Sequence, residues 1–153
     1  MRKPKIVSIY SGCGGIDLGF HKAGFETIFA TDIWDIACKS LEKNFGKTGA
    51  EIQCDDIVNI DFRSIKDEHG EINGLVGGPP CPPFSKSRFY RKEKERGIDD
   101  IDGFITLSNY FRAVEELEPE FFFQCSECDY VFEVRSYMKC KLIRPKILNE
   151  NTI

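Results

Sequence analysis

Long apolar runs are missing from this chain of 153 residues, so nothing in it reads as a membrane span. The apolar stretch near the start, residues 6–10, is also too short for the core of a signal peptide. Positive charge is not in excess. The formal net charge is -4, which speaks against a surface coated for nucleic acid but leaves room for a local basic patch. Histidine occurs only at His21 and His69, and there is no internal repeat and no low-complexity segment. These absences predict a cytoplasmic protein with no membrane segment. Its length suits one compact domain but not two.

Cysteine, by contrast, is plentiful: Cys13, Cys38, Cys54, Cys81, Cys125, Cys128 and Cys140. An odd number with no export signal predicts free thiols in a reducing compartment, at least one of them kept for reactivity. Cys125 and Cys128 have the spacing of half a zinc site. Only Cys140 is near, and both histidines lie far upstream, so no metal is expected.

Hydrophobic runs alternate with helical periods. Residues 5–10 predict a buried strand that runs into the small-residue turn Ser11-Gly12-Cys13-Gly14-Gly15. Ile16, Gly19, Phe20 and Ala23 then share a helical face, and Gly24 stands where that helix would end. Residues 25–31 predict a second strand, closed by Asp32, which can cap a helix whose face carries Ile33, Ala37, Leu41 and Phe45 up to Gly46. A third strand at 52–54 ends in Asp55-Asp56, residues 61–71 read as a polar loop, and a fourth strand at 75–76 enters Gly77-Gly78-Pro79-Pro80-Cys81. After a charged stretch without period at 86–102, Phe104, Leu107, Phe111, Val114 and Leu117 recur at helical spacing until Pro119, and residues 121–123 form one more buried strand. Strands alternating with helices imply an α/β fold, a mostly parallel sheet with helices on both faces. The pattern is lost after Gln124. The expected division is therefore an ordered part over 1–123 and a divergent tail over 124–153, poorly ordered in expectation.

Three consecutive strand ends carry groups that suit a nucleotide-like ligand. Glycines in the first turn let a ligand approach the backbone and the following helix amides. Asp32 stands where an acid meets a ribose hydroxyl pair in such folds, and one carboxylate matches two hydroxyl donors. Trp34 could stack on an adenine face, and one of Asp55-Asp56 could accept from an adenine amino group. Read singly, the turn can be merely structural, Asp32 a helix cap and Trp34 a core residue.

The stretch 77–85 is the most unusual in the chain. The two prolines before Cys81 fix the backbone and exclude helix, and a thiol on a rigid loop at a strand's carboxyl end is placed as a nucleophile. The competing reading is an inert buried cysteine, which does not need such a frame.

Residues 10–20, Tyr-Ser-Gly-Cys-Gly-Gly-Ile-Asp-Leu-Gly-Phe, followed by Ala23-Gly24-Phe25, resemble the opening signature of cytosine-5 DNA methyltransferases. Gly77-Gly78-Pro79-Pro80-Cys81 with Phe84-Ser85 resembles the family's catalytic loop, in the family's order and spacing. The resemblance covers about residues 5 to 123. It implies a Rossmann-like fold that binds S-adenosyl-L-methionine. Ser11, Gly12, Cys13, Gly14, Gly15 and Phe20 would hold its methionine part, Asp32 the ribose, Ile33 and Trp34 the adenine faces, and Asp56 with Ile57 the adenine edge; Pro80 would line the same pocket. Cys81 would be the nucleophile that attacks a cytosine flipped out of double-stranded DNA. Residues 86–96 carry six cations against two glutamates, a local net of +4, with Phe89 and Tyr90 between them. Ser85, Lys86, Arg88 and Arg91 would meet the substrate there.

The sequence also departs from the family. Pro82 follows the cysteine where glutamine is usual, and Gln124-Cys125-Ser126 stands where a Glu-Asn-Val signature is expected. The resemblance further implies more than a hundred residues beyond this chain, including the target-recognition domain. The expectation is therefore an N-terminal fragment of a restriction-modification methyltransferase, with little turnover alone and a second chain conceivable for the missing half. The alternatives are a transfer-RNA cytosine methyltransferase and a non-catalytic remnant that binds cofactor.

Overall fold

The computed structural model describes residues 2–80 and 101–124. Expectations that fall on residues 81–100 and 125–153, the cysteine loop, the basic stretch and the tail among them, lie outside the described residues.

Among the described residues, five strands and four α-helices follow in the order β1 (Lys5–Ile9), α1 (Gly15–Lys22), β2 (Glu26–Asp32), α2 (Asp35–Phe45), β3 (Glu51–Cys54), α3 (Phe62–His69), β4 (Gly74–Gly77), α4 (Ile101–Leu117) and β5 (Phe121–Gln124). The sheet order is β3-β2-β1-β4-β5, and every pairing is parallel. The chain winds outward from β1 to β3, then returns to the other side of β1 with β4. The order thus reverses between β1 and β4, and open α/β sheets keep their ligand crevice at such a reversal, beyond the carboxyl ends of the strands.

Strand periodicity divides the core. Val7, Ile9, Phe29 and Leu75 pack with Phe62 and Ile65 of α3 and Tyr110, Ala113 and Leu117 of α4. Ala30, one residue from Phe29 and so on the opposite face, joins Leu41 and Phe45 of α2. The sequence therefore reads correctly as a parallel sheet between helices. No helix among the described residues is long and apolar enough to cross a membrane.

Four local expectations are corrected. Residues 61–71 hold α3, not a loop. Its apolar content is only Phe62 and Ile65, too little to show a period, but the Asp61 carboxylate accepts from the backbone amides of Arg63 and Ser64 and starts the helix. Asp32 does not cap α2; Trp34 holds that position, and Ile33 lies outside the helix and exposed. The buried face of α4 runs through Thr106, Leu107, Tyr110, Ala113 and Leu117, so Phe104 points to solvent. Phe121 and Phe122 are only half-buried and Phe123 is exposed, because β5 pairs with β4 alone among the described strands.

One turn glycine is fixed by sterics. Gly14 has φ +84°, and a Cβ there would sit 2.6 Å from the Phe45 Cε2 atom and 3.0 Å from Leu41 Cδ2. Both partners are buried in α2, so neither can withdraw. Gly14→Ala adds a left-handed L-residue to that overlap, and an equilibrium urea melt should show a loss of about 2–4 kcal/mol.

Candidate functional site

The carboxyl ends of four strands converge on one cavity of about 510 Å³. Tyr10 and Gly12 reach it from β1, Thr31, Asp32, Ile33 and Trp34 from β2, Asp55, Asp56 and Ile57 from β3, and Gly78 and Pro80 from β4. Ile105 and Thr106 of α4 close one side. The parallel register brings these ends level: Asp32 pairs with Cys54 across β2 and β3, and Ile9 with Gly77 across β1 and β4. A side chain at Gly77 would meet the Ile9 carbonyl oxygen at 2.5 Å, so glycine is what lets β4 close on β1 beneath the crevice.

Asp32 organises the floor. One carboxylate oxygen accepts from the Gly12 amide at 2.8 Å, and the other accepts from the Trp34 amide at 3.0 Å. The side chain thus ties the glycine turn to the entrance of α2, while each oxygen keeps acceptor capacity for a ligand. Trp34 is 75% exposed beside the cavity, which excludes a core role for it.

The third strand end is held separately. Asp56 accepts from the Val58 amide at 3.1 Å, and Asn59 donates its side-chain amide to Asp55 at 2.8 Å. That bond, with the Asp56 amide, holds the Asp55 carboxyl below its ordinary range. Arg112 of α4 donates to the carbonyls of Ile57 (2.6 Å) and Ile60 (2.9 Å), and its guanidinium lies 4.8 Å from the centre of the Phe62 ring. It pins the β3–α3 connection against α4.

Several residues singled out in the sequence lie away from the cavity wall. Ser11 is buried; its amide donates to the Thr31 carbonyl and its hydroxyl to Ser8. Ser8 donates in turn to Asp17, which also accepts from Thr27 and is fully buried under the turn. Burial raises the Asp17 carboxyl above its usual range, against the opposing pull of these hydrogen bonds. Gly14 is buried, whereas Cys13 and Gly15 are exposed. Phe20 sits among Phe25, Phe121 and Phe123. Cys81, Ser85, Lys86, Arg88 and Arg91 lie outside the described residues, although Pro80, to which Cys81 is bonded, lines the cavity.

The structure adds residues that the sequence did not single out. Tyr10 adopts φ +51°, an uncommon conformation for a side chain of that size. Its hydroxyl donates to the Thr106 carbonyl at 2.9 Å, bridging the end of β1 to α4. Burial, and then the Asp56 charge, hold its proton on. The Thr31 hydroxyl is buried at the cavity with no hydrogen-bond partner. Among the described residues one trio, Glu51, Glu68 and His69, has ligand atoms within 4.8 Å of one another. Glu51 begins β3, at the end away from the cavity, and both carboxylates are exposed.

The cysteines correct the expectation of free thiols. Cys38 of α2 and Cys54 of β3 are joined as a disulfide, and Cys13 is the free thiol among the described residues. Spacing could not show this, because the contact depends on how α2 docks beside β3.

Comparison with known proteins agrees with this architecture. The sequence model of the family described as C-5 cytosine-specific DNA methylase matches residues 4–124. The Type II methyltransferase M.NgoPII of Neisseria gonorrhoeae is 38% identical over 120 residues, which span 77% of this chain and 31% of the relative. The Type II methyltransferase M.AquIA of a Picosynechococcus strain is 36% identical over 122 residues, 77% of this chain and 46% of the relative. A solved E. coli prophage protein, assigned as a DNA modification methyltransferase, superposes with a TM-score of 0.61 at 27% identity, over 78% of this chain and 31% of that one. The chain thus spans between about a third and a half of the length of these relatives.

Proposed function

The chain belongs to the family of C-5 cytosine-specific DNA methylases, and from that premise we propose that it is the cofactor-binding and nucleophile-bearing part of an enzyme that methylates carbon 5 of cytosine in double-stranded DNA. The cofactor is S-adenosyl-L-methionine, and the setting a restriction-modification system. Residues 1–123 form the working unit. The observation that carries the reading is the convergence of Gly12, Asp32 and Asp56 on one cavity beside Pro80.

The cavity's chemistry fits this cofactor. Among the described residues its acidic groups are the side chains of Asp32, Asp55 and Asp56, which suit hydroxyl and amino donors and a cationic centre better than a pyrophosphate. The unpartnered Thr31 hydroxyl leaves a further polar contact open. Asp32 would take the ribose hydroxyls, Ile33 and Trp34 the adenine faces, and Asp56 with Ile57 its edge. The backbone of the turn at Gly12, which reaches the cavity, would hold the methionine end. When bound, the cofactor supplies an electrophilic methyl group on sulfur.

The nucleophile is assigned to Cys81. Carbon 5 of cytosine is a weak nucleophile; thiolate addition to ring carbon 6 makes it enamine-like and able to accept a methyl. Loss of the carbon-5 proton and of the cysteine then restores the ring. Ser85, Lys86, Arg88 and Arg91 are assigned to the substrate, the cations as phosphate contacts.

One sequence feature favours a slower variant of this reading. Gln124-Cys125-Ser126 replaces the signature whose glutamate would protonate the base as sulfur adds. General acid assistance is worth about 10²–10⁴-fold. The chain is therefore expected to bind tritiated S-adenosylmethionine in equilibrium dialysis while transferring its methyl to mixed-sequence DNA slower than a full-length relative by about that factor. No retained cofactor at millimolar concentration would remove the central claim, and rapid incorporation into DNA would remove the slow variant.

A further inference from the structure

We propose that Cys38 and Cys54 are a reversible thiol–disulfide modification site that couples cellular thiol balance to the width of the cavity. The bridge spans its two walls. Cys38 lies in the first turn of α2, where its amide donates to the Trp34 carbonyl at 2.9 Å. Cys54 is the last residue of β3, bonded to Asp55, whose amide donates to the Asp32 carbonyl at 3.2 Å. On each side, therefore, the sulfur is one residue or one backbone hydrogen bond from the cavity wall. The two Cα atoms stand 5.8 Å apart, an ordinary separation for a bridge, so the fold brings the pair together without moving either element.

Both redox states are provided for. The Cys38 sulfur lies 3.2 Å from the Asp32 carbonyl oxygen, so as a thiol it can donate to the residue that anchors the cavity floor. In the bridged state that donor is gone and the Asp32 carbonyl keeps the Asp55 amide alone. Access is asymmetric: Cys38 is buried and Cys54 is exposed. Exchange therefore begins at Cys54. Its thiolate attacks one sulfur of a low-molecular-weight disulfide, forming a mixed disulfide and expelling one thiolate. Cys38 then attacks the Cys54 sulfur and expels the second thiolate. The two cysteine protons and two electrons end on two molecules of small thiol, and excess thiol reverses both steps.

The bridge fixes the distance between the Ile33–Trp34 wall and the Asp55–Ile57 wall, so a ligand held between them loses less freedom on binding. This consequence rests on the cofactor reading of the cavity; the modification itself does not. The full chain would be equilibrated in glutathione buffers from fully reduced to fully oxidised. Alkylation with mass spectrometry reads each cysteine, and amide hydrogen exchange reads the peptides covering 33–38 and 54–58. Cys38 and Cys54 should become protected together, exchange in both peptides should slow on oxidation, and S-adenosylmethionine should bind the oxidised chain about fivefold or more tightly, the low end of ordinary site-to-site coupling. Cys54→Ser should remove the redox response of both readouts. Independent alkylation of the two cysteines, or exchange unchanged by a formed bridge, overturns the proposal, as does equal or weaker binding by the oxidised chain. If neither state binds the cofactor, the cavity reading fails, and alkylation with exchange still decides the switch.

Discussion

Cys81→Ser is expected to abolish methyl transfer while leaving S-adenosylmethionine binding within about twofold, a loss on the order of 10³-fold or more in rate. The argument is one of protonation. A free thiol titrates near about 8.5, so a few per cent is thiolate at neutral pH and a modest local field raises that share. A serine hydroxyl is a far weaker acid, and its conjugate oxygen is scarce unless a base is positioned to remove the proton. Among the described residues around the cavity, the ionised groups are carboxylates that already accept backbone or side-chain hydrogen bonds. Cofactor affinity should survive because the described walls come from the ends of β1 to β4 and from α4. The pairing of readouts is what tests the assignment: a tritium transfer assay gives the rate, and dialysis gives the binding. Retained transfer with serine would move the nucleophile elsewhere in the chain. Loss of transfer together with loss of binding would mean that residue 81 acts on the cofactor site instead.

The route from sequence to site was legible where chemistry is local and opaque where it is not. The glycine turn, Asp32 and Asp56 stand directly after hydrophobic runs, so the strand ends named them, and a parallel sheet brought them together. Tyr10 stood in the same turn but read as the end of a strand. Its role depends on a left-handed backbone and on a hydroxyl reaching the Thr106 carbonyl, 96 residues away. Arg112 is a similar case: its guanidinium closes the β3–α3 connection, a contact that no spacing announces. The helix α3 was hidden because a cap and two apolar residues suffice when a neighbouring helix covers them, as α4 does here. Phe104 fits a helical period with Leu107, Phe111, Val114 and Leu117, yet the face that meets the sheet is set by where α4 crosses it.

The second large effect concerns Asp32. Asp32→Ala should weaken S-adenosylmethionine binding by about 100-fold, since hydrogen bonds to a charged group are worth about 1.5–3 kcal/mol each. Two losses combine. The ribose hydroxyls would lose their acceptor, and the amides of Gly12 and Trp34 would lose theirs, so the turn and the α2 entrance are no longer held at a common carboxylate. Asp32→Asn separates shape from charge. Asparagine matches the shape but accepts at one end only; its amino end would face either the Gly12 or the Trp34 amide, donor against donor. The isosteric change should therefore cost less than truncation but still about 10-fold or more in affinity on the same scale of hydrogen-bond worth. Titration calorimetry on the two variants measures it, and near-native affinity in Asp32→Asn would show that the double acceptor is not what holds the floor of the cavity.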